Sequence, residues 1–277
     1  MDSKTSIEEY PASVEAKAIT TPRIPQDVID EVLDHLAVTD RCFRFTSLRS
    51  CALVSESWVQ SCRRHLFHTV VFGCLDMNSW LVTFPVPEKS PAKHVRDLIV
   101  EIGGDECVPE RFFEYTSWFT NAKRVRLQGC GRDPPLRVPS LWRLPQSVTS
   151  LSVSTNTITL VQIRDIMAQL PNLDNLELSG YPTAVNKDIL PGIGATLKGR
   201  YGGRLVLAER CVDEGVANML LEIPTCLRFT EVEIRGTHRC FPLTVRLVEA
   251  CGETLMSLRY TAYFDGKPNP FSWSSWF

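Results

Sequence analysis

Cysteine and histidine are the residue types in this chain best suited to catalysis or metal binding. The ten cysteines, at 42, 51, 62, 74, 107, 130, 211, 226, 240 and 251, include no C-x-x-C pair. His65 and His68 lie near Cys62 and Cys74, but their spacing is irregular for a zinc site. We therefore predict no metal site, and reduced cysteines that act as small core hydrophobes. A Cys/His nucleophile pair is left open, because such partners need not be adjacent in the chain.

The glycine motifs of cofactor-dependent enzymes and hydrolases are missing. The sequence contains no Walker A loop and no G-x-S-x-G elbow. Gly192-Ile193-Gly194 begins a G-x-G, but Leu197 occupies the position of the third glycine in a dinucleotide fingerprint. We therefore predict that the protein has no catalytic residues, is not an enzyme and holds no cofactor.

Charge and hydropathy argue against several classes of partner. The 277-residue chain has a formal net charge of −2, which provides no overall basic field to hold nucleic acid. No uncharged apolar stretch reaches membrane-spanning length, and the first twenty residues lack the apolar run of a signal peptide. We predict a cytoplasmic or nuclear protein that binds other proteins, with no nucleic acid and no membrane.

Four regions follow one another along the chain. Residues 1–22 are polar, have no sustained period and are predicted to be a disordered lead-in. Residues 23–72 are predicted to be helical, with a loop at 37–46. Residues 73–93 form a connector, because three prolines interrupt its second half. Residues 94–277 alternate short apolar strands with amphipathic stretches.

The alternation in the fourth region is periodic. An apolar-x-x-apolar-x-apolar pattern recurs seven times, and its central residues are separated by 27, 26, 25, 29, 27 and 26 positions. Such a period predicts stacked units, each burying one face on the next. The alternative is an ordinary α/β domain with evenly spaced strands. The central residues, all predicted to be buried in one parallel sheet, are Leu98, Val125, Leu151, Leu176, Leu205, Val232 and Leu258.

The segments between these strands have the apolar period of helices. Residues 160–170 place Leu160, Ile163 and Met167 on one face, and 212–223 and 243–255 behave similarly. One strand and one helix per unit resembles a leucine-rich repeat, and the L-x-x-L-x-L-x-x-N/C pattern is met at 148–156 and 122–130. Elsewhere the Asn/Cys position holds other residues, so the resemblance implies a short, degenerate solenoid. The closing run FSWSSWF either covers the last repeat or is the ragged end of an incomplete gene model.

The N-terminal helical region carries more apolar residues than a small motif can bury. Pro25 suits a first helical turn, and a stripe from Val28 to Leu36 follows it. Leu48 and Val54 mark a second apolar group, and Trp58 a third helix. About fifty residues cannot cover all these side chains, so a partner is needed. The alternative is a plain three-helix cap that faces only its own repeats.

The ordered series Ile24-Pro25, the Val28–Leu36 stripe, Leu53-Val54-Ser55, Trp58 and Leu66-Phe67 resembles an F-box. The segment VSESWVQSCRRHLF is especially similar to the F-box proteins expanded in fungal genomes. The resemblance implies a three-helix motif that docks on the Skp-type adaptor of an SCF (cullin–RING) ubiquitin ligase. The adaptor-binding residues it implies are Ile24, Pro25, Val28, Ile29, Val32, Leu33, Leu48, Val54 and Trp58.

Alternation of side chains along the seven strands predicts an outward sheet face. Its charged residues are balanced, five against five, which favours a mixed-charge protein surface over a polyanion. Arginine is the expected anchor, since its planar fork grips carboxylates in a bidentate manner. The predicted substrate-binding residues are Arg124, Arg126, Glu177, Arg204, Glu233, Arg235 and Arg259.

Together these patterns predict an α/β protein, an F-box-like three-helix motif followed by a short leucine-rich-repeat-like solenoid with a parallel sheet. The function expected is substrate recognition for an SCF-type ligase, with the rate gain coming from proximity. Two alternatives are a scaffold protein whose F-box acts outside the ligase, and an enzyme whose fold differs from this interpretation.

Overall fold

The structure is a computed structural model, and it describes most of the chain after residue 23. Its described ranges are 24–38, 41–73, 76–102, 114–129, 143–154, 158–180, 197–208, 214–223, 227–237, 241–264 and 267–276. The lead-in predicted at 1–22 lies outside these ranges. Within them the protein is α/β: helices accompany one nine-stranded sheet whose strands follow sequence order from β1 to β9.

Three helices form a unit at the N-terminal end, which we call the helical unit: α1 (Gln26–Val38), α2 (Arg41–Ala52) and α3 (Glu56–Leu66). Helix α1 begins directly after Pro25, and the Ser55 side chain caps α3 by accepting from the Ser57 N–H. The helices pack around a small core of four buried residues, with neighbours such as Trp58 packed against it. The buried four are Ile29, Leu33, Leu48 and Cys62.

Two element predictions in this region were wrong. The loop expected at 37–46 is largely helical, because α1 continues to Val38 and α2 begins at Arg41, in a segment without glycine or proline. Residues Thr69–Phe72 were predicted helical but form strand β1, which pairs in parallel with the next strand. The β-branched Thr69, Val70 and Val71 favour that conformation. The connector region contains helix α4 (Asp76–Thr83) and two short 3₁₀ turns, Pro87–Lys89 and Pro91–His94.

The seven predicted strands are present in one sheet and are parallel. After β1 (Thr69–Phe72) they are β2 (Asp97–Ile102), β3 (Arg124–Gly129), β4 (Ser150–Ser154), β5 (Asn172–Ser179), β6 (Arg200–Ala208), β7 (Arg228–Thr237) and β8 (Ser257–Phe264). Each pairs in parallel with the strands before and after it in the chain. One more strand, β9 (Lys267–Trp276), pairs with β8 in the antiparallel direction.

Hydrogen bonds at the amino ends of the strands repeat from one unit to the next. The His68 carbonyl accepts from the N–H groups of residues 96 and 97, and the Arg96 carbonyl from those of 123 and 124. The Lys123 carbonyl accepts from 149 and 150, and the Thr149 carbonyl from 174 and 175. This repetition places residues one period apart side by side, so sequence spacing sets which side chains meet.

The main core lies on the inward side of the sheet. Six of the seven central residues predicted to be buried are so, and all six join one hydrophobic cluster. Leu258 is the exception and is only half-buried. It lies on the last parallel strand, beyond which the described part of the chain contains only β9. Helices α5 (Leu160–Ala168), α6 (Glu214–Leu221) and α7 (Phe241–Cys251) contribute buried side chains to the same cluster.

One break in the regular register occurs between β5 and β6. The pairing shifts between Leu173 and Asn175 on β5, and again at Gly203 on β6. Gly203 has φ +67°, and a Cβ added there would lie 2.0 Å from the Asp174 carbonyl oxygen. Only glycine fits this bulge, which explains the longest step in the period, between Leu176 and Leu205.

Candidate functional site

The nine residues predicted to bind an adaptor divide into buried and exposed groups. Ile29 is 3% exposed, and Leu33 and Leu48 are fully buried, so these three hold the helical unit together. Trp58 is half-buried against the same core. The exposed members are Ile24, Pro25, Val28, Val32 and Val54.

Further apolar side chains that were absent from the predicted site are also exposed in the helical unit. Leu53 is 89% exposed in the turn between α2 and α3, beside Val54 at 69%. Phe43 on α2 and Val38 at the end of α1 are exposed as well. The signal for Leu53 was available, because Leu53-Val54-Ser55 belongs to the F-box-like series. We call the exposed apolar residues Ile24, Val28, Val32, Leu53 and Val54 the helical face.

Polar contacts connect α1 to α3. The Ser61 hydroxyl donates to Asp30 Oδ1 at 2.7 Å, and Gln26 Nε2 donates to the same oxygen at 3.0 Å. These hydrogen bonds hold the pKa of Asp30 below its usual value. His65 Nε2 lies 3.1 Å from Asp34 Oδ1, outside good hydrogen-bond geometry. Burial lowers the pKa of His65 although Asp34 opposes that shift.

The outward side chains of β2 to β8 form rows across the strands, and we call this surface the sheet face. One row reads Asp97, Arg124, Ser150, Asn175, Arg204, Glu231 and Ser257. The next row reads Ile99, Arg126, Ser152, Glu177, Val206, Glu233 and Arg259. Six of the seven predicted substrate-binding residues lie in these two rows, and Arg235, two residues after Glu233 on β7, lies on the same side of the sheet by alternation.

Three residues predicted to be exposed on the sheet face are buried. Val206 and Ala208 on β6 are 4% and 5% exposed, and Glu233 on β7 is 6% exposed. The first two are apolar, so their burial is favourable. Glu233 is covered because arginines from its own strand and from β6 close over its carboxylate.

Arg124 is held by a carboxylate of its own chain. Its Nε and Nη2 donate to the two oxygens of Asp97 on the neighbouring strand, at 2.6 and 2.7 Å. Thr69 donates to the same carboxylate at 3.4 Å, and His68 Nδ1 lies 3.8 Å away. The bidentate fork expected for a substrate contact is thus directed at Asp97.

Glu233 is the centre of a second ion-pair group, which contains two of the predicted anchors. Arg204 Nη2 donates to Glu233 Oε2 at 2.8 Å, and Arg235 donates to Oε1 through Nε at 2.8 Å and Nη2 at 2.6 Å. Arg204 Nε also lies 3.9 Å from Glu231. Burial raises the pKa of Glu233, but the hydrogen bonds from Arg235 and Arg204 outweigh it, and the pKa lies below its usual value.

Arg126 and Arg259 differ from the other predicted anchors. Within the part of the chain that the structure describes, neither lies within ion-pair distance of a carboxylate. Both are exposed, and they occupy the same row, five strand spacings or about 24 Å apart. Glu177 lies between them in that row. The row therefore presents a positive, a negative and a positive charge to an incoming ligand.

Three of the ten cysteines have side chains that the structure describes: Cys51, which is half-buried, and Cys62 and Cys251, which are buried; all three carry free thiols. Burial raises the pKa of Cys62, and raises that of Cys251 to about 11. Among the described residues there is no group of three or more His, Cys, Asp or Glu side chains that could hold a metal ion. Nor does any described helix have the length and apolar character needed to cross a membrane.

Comparison with protein-family models and with curated proteins identified no relative of this chain. No protein-family model matches the chain, and no curated protein matches it significantly.

Proposed function

We propose that this protein is the substrate-recognition subunit of an SCF-type ubiquitin ligase. The helical unit is an F-box that docks on a Skp-type adaptor through the helical face, and the sheet is a degenerate leucine-rich-repeat solenoid. The sheet face binds a protein substrate, and the ligase complex supplies the ubiquitin. In this role the chain contributes proximity instead of catalytic groups.

The observation that carries the proposal is the apolar surface of the helical unit. Among the described side chains of this unit, four are buried in its core, while Val28, Val32, Leu53 and Val54 remain exposed. A small helical unit that exposes several large apolar side chains is typical of a docking element, because such exposure is favourable only when a partner covers it. The ordered F-box-like residues in the sequence name the class of partner.

The repeating sheet supports the second half of the proposal. Parallel strands in sequence order, with the same amino-end hydrogen bonds in successive units, are the architecture expected of stacked repeats. A single outward face with mixed charge suits recognition of another protein, since charge complementarity gives specificity. Because internal carboxylates pair with Arg124, Arg204 and Arg235, the sheet-face charges without an ion pair among the described residues are Arg126, Arg259, Glu101 and Glu177.

The adaptor test uses two exposed apolar residues of α1. Val28→Asp with Val32→Asp places two carboxylates on the helical face and leaves the buried Ile29 and Leu33 unchanged. We expect loss of binding to a purified Skp-type adaptor, measured by calorimetry with the full chain. The matched control is Val82→Asp with Val245→Asp, two exposed valines on α4 and α7 that lie outside the helical unit.

Wild-type binding together with loss in the α1 variant alone supports the proposal. Adaptor binding that survives the α1 substitutions would place the contact elsewhere and overturn the assignment of the helical face. A wild-type chain that does not bind the adaptor would favour the scaffold alternative, in which the motif acts outside the ligase.

The substrate test changes the two arginines that lack an internal partner. The double variant Arg126→Glu with Arg259→Glu reverses the charge at both ends of the row. The control is Arg124→Glu, because Arg124 already pairs with Asp97. Proximity labelling with the ligase inhibited should give a partner list that the first variant shortens. A list unchanged by the double reversal would show that the sheet face is not the substrate site.

A further inference from the structure

A group of cations lies where the helical unit meets the amino ends of the first strands, next to the first row of the sheet face. It consists of Arg63 on α3, Lys93 in the 3₁₀ turn before β2, Arg96 immediately before β2, and Lys123 immediately before β3. All four side chains are exposed. We call these four residues the basic ridge.

Hydrogen bonds tie three members of the basic ridge together. Arg96 Nη1 donates to the Asn121 carbonyl at 3.2 Å, and Asn121 Nδ2 donates to the Lys93 carbonyl at 2.7 Å. The Lys123 N–H donates to the Arg96 carbonyl at 2.8 Å. The backbones of Arg96 and Lys123, which immediately precede β2 and β3, are therefore neighbours, about 4.8 Å apart across the sheet. The Arg96 guanidinium is held at Nη1 by its hydrogen bond to the Asn121 carbonyl.

The fourth cation of the basic ridge, Arg63, belongs to helix α3 of the helical unit. Arg63 and Arg64 on α3 lie close enough to His94 to act on it electrostatically. Burial, with the added charges of Lys93, Arg63 and Arg64, lowers the pKa of His94, so His94 is neutral at neutral pH. The cations thus continue from α3 across the turn to the ends of β2 and β3.

The carboxylates around the basic ridge are engaged elsewhere or lie at its border. Asp30 is 3.8 Å from Arg64, and Asp97 pairs with Arg124. Asp174 is exposed at the start of β5, two strands beyond Lys123. In the described ranges, none of the four ridge cations lies within ion-pair distance of a carboxylate. A local positive surface therefore exists on a chain whose net charge is −2.

We propose that the basic ridge binds an extended, acidic segment of a partner protein, one rich in aspartate and glutamate. The cations follow one another from α3 across the turn to the amino ends of β2 and β3, and all four are exposed, which suits a run of carboxylates spaced along an extended chain. A single phosphate would instead require converging, partly buried donors. The negative charge of the whole chain disfavours nucleic acid. This inference does not depend on the F-box assignment.

The test measures binding of a labelled 12-residue peptide of alternating glutamate and serine to the full-length protein by fluorescence anisotropy. We expect it to bind at least about tenfold more tightly than the matching glutamine peptide at low salt, and to weaken as salt rises. Arg96→Glu with Lys123→Glu should lower the affinity by about tenfold or more. Because Arg96 also supports the Asn121 carbonyl, Arg63→Glu with Lys93→Glu provides a second variant.

The control is Arg228→Glu with Arg246→Glu, which makes the same change in net charge at exposed positions remote from the ridge. Affinity retained in this control and lost in either ridge variant supports the proposal. Equal loss in control and ridge variants would overturn it, because net charge alone would then explain binding. Equal affinity for the glutamate and glutamine peptides, or stronger competition by single-stranded RNA of the same length, would also overturn it.

Discussion

The helical unit and the sheet cover their apolar residues in different ways. In the sheet each unit packs on the next, and residues such as Leu98, Leu151 and Leu176 are at most 1% exposed. The helical unit has a core of four buried residues and leaves Leu53 and Val54 in solvent. The two cores form separate hydrophobic clusters.

This difference is the basis of the proposed division of roles between the two regions. A stacked sheet is stabilised by its own neighbours, so its outward face is free to carry polar and charged side chains. The helical unit has no such neighbour for its exposed valines and leucine among the described elements. In the proposed function a partner covers this apolar exterior, and the charged sheet face makes the selective contact.

The largest expected effect is a loss of stability in the sheet. Leu176→Ala removes a fully buried side chain from the middle of the stack and should lower the free energy of unfolding by about 2–5 kcal/mol. Leu33→Ala makes the same change in the helical unit. Amide hydrogen exchange should show loss of protection in the sheet for the first variant and in residues 26–66 for the second. Loss across the whole chain in both variants would contradict two separate cores.

A smaller effect is expected at the Glu233 ion-pair group. Glu233→Gln keeps the shape of the side chain but removes the charge that Arg204 and Arg235 grip, and should cost about 1–3 kcal/mol because both arginines remain half-exposed. The lowered pKa of Glu233 means that its contribution is present at neutral pH and is lost as the pH falls below about 4.5. Denaturation as a function of pH should show this acid-dependent loss in the wild type and a weaker one in the variant.

The smallest expected change separates the two regions by pH. Burial lowers the pKa of His65, so its contribution to the helical unit is present above about pH 6.5 and is lost as the pH falls below it. The helical unit should therefore lose hydrogen-exchange protection at mildly acidic pH, together with the turn before β2, where burial also lowers the pKa of His94. His65→Asn should remove the mild-acid step in the helical unit. Loss of protection in strands β4 to β8 between pH 6.5 and 5, simultaneous with that of the helical unit, would disagree with this assignment.

Much of the sheet was predictable because repetition is visible in a sequence. The spacing of Leu98, Val125 and Leu151 fixed both the strands and their neighbours, since parallel units of equal length bring equivalent residues into register. Strand β1 was missed because Thr69–Phe72 follows directly on a helix and its pattern is only four residues long. The bulge at Gly203 was not predicted, because it depends on a close approach of two backbone segments. In the sequence this approach shows only as one longer step in the period.

The candidate surfaces were predictable as faces but not as individual contacts. Alternation placed Arg124, Arg204 and Arg235 on the outward side, but which carboxylate each meets depends on side-chain conformation across strands. The apolar stripe from Val28 to Leu36 predicted helix α1. It did not separate the buried Ile29 from the exposed Val28, because the stripe is wider than the surface of α1 that α2 and α3 cover.

The central claim is that a Skp-type adaptor covers the helical face, and hydrogen exchange of the full chain with and without saturating adaptor tests it most directly. We predict added protection in residues 24–36 and 53–58, which contain Val28, Val32 and Leu53, with strands β2 to β8 unchanged. A chain that shows no added protection at saturating adaptor, or protection confined to the sheet, would contradict the account.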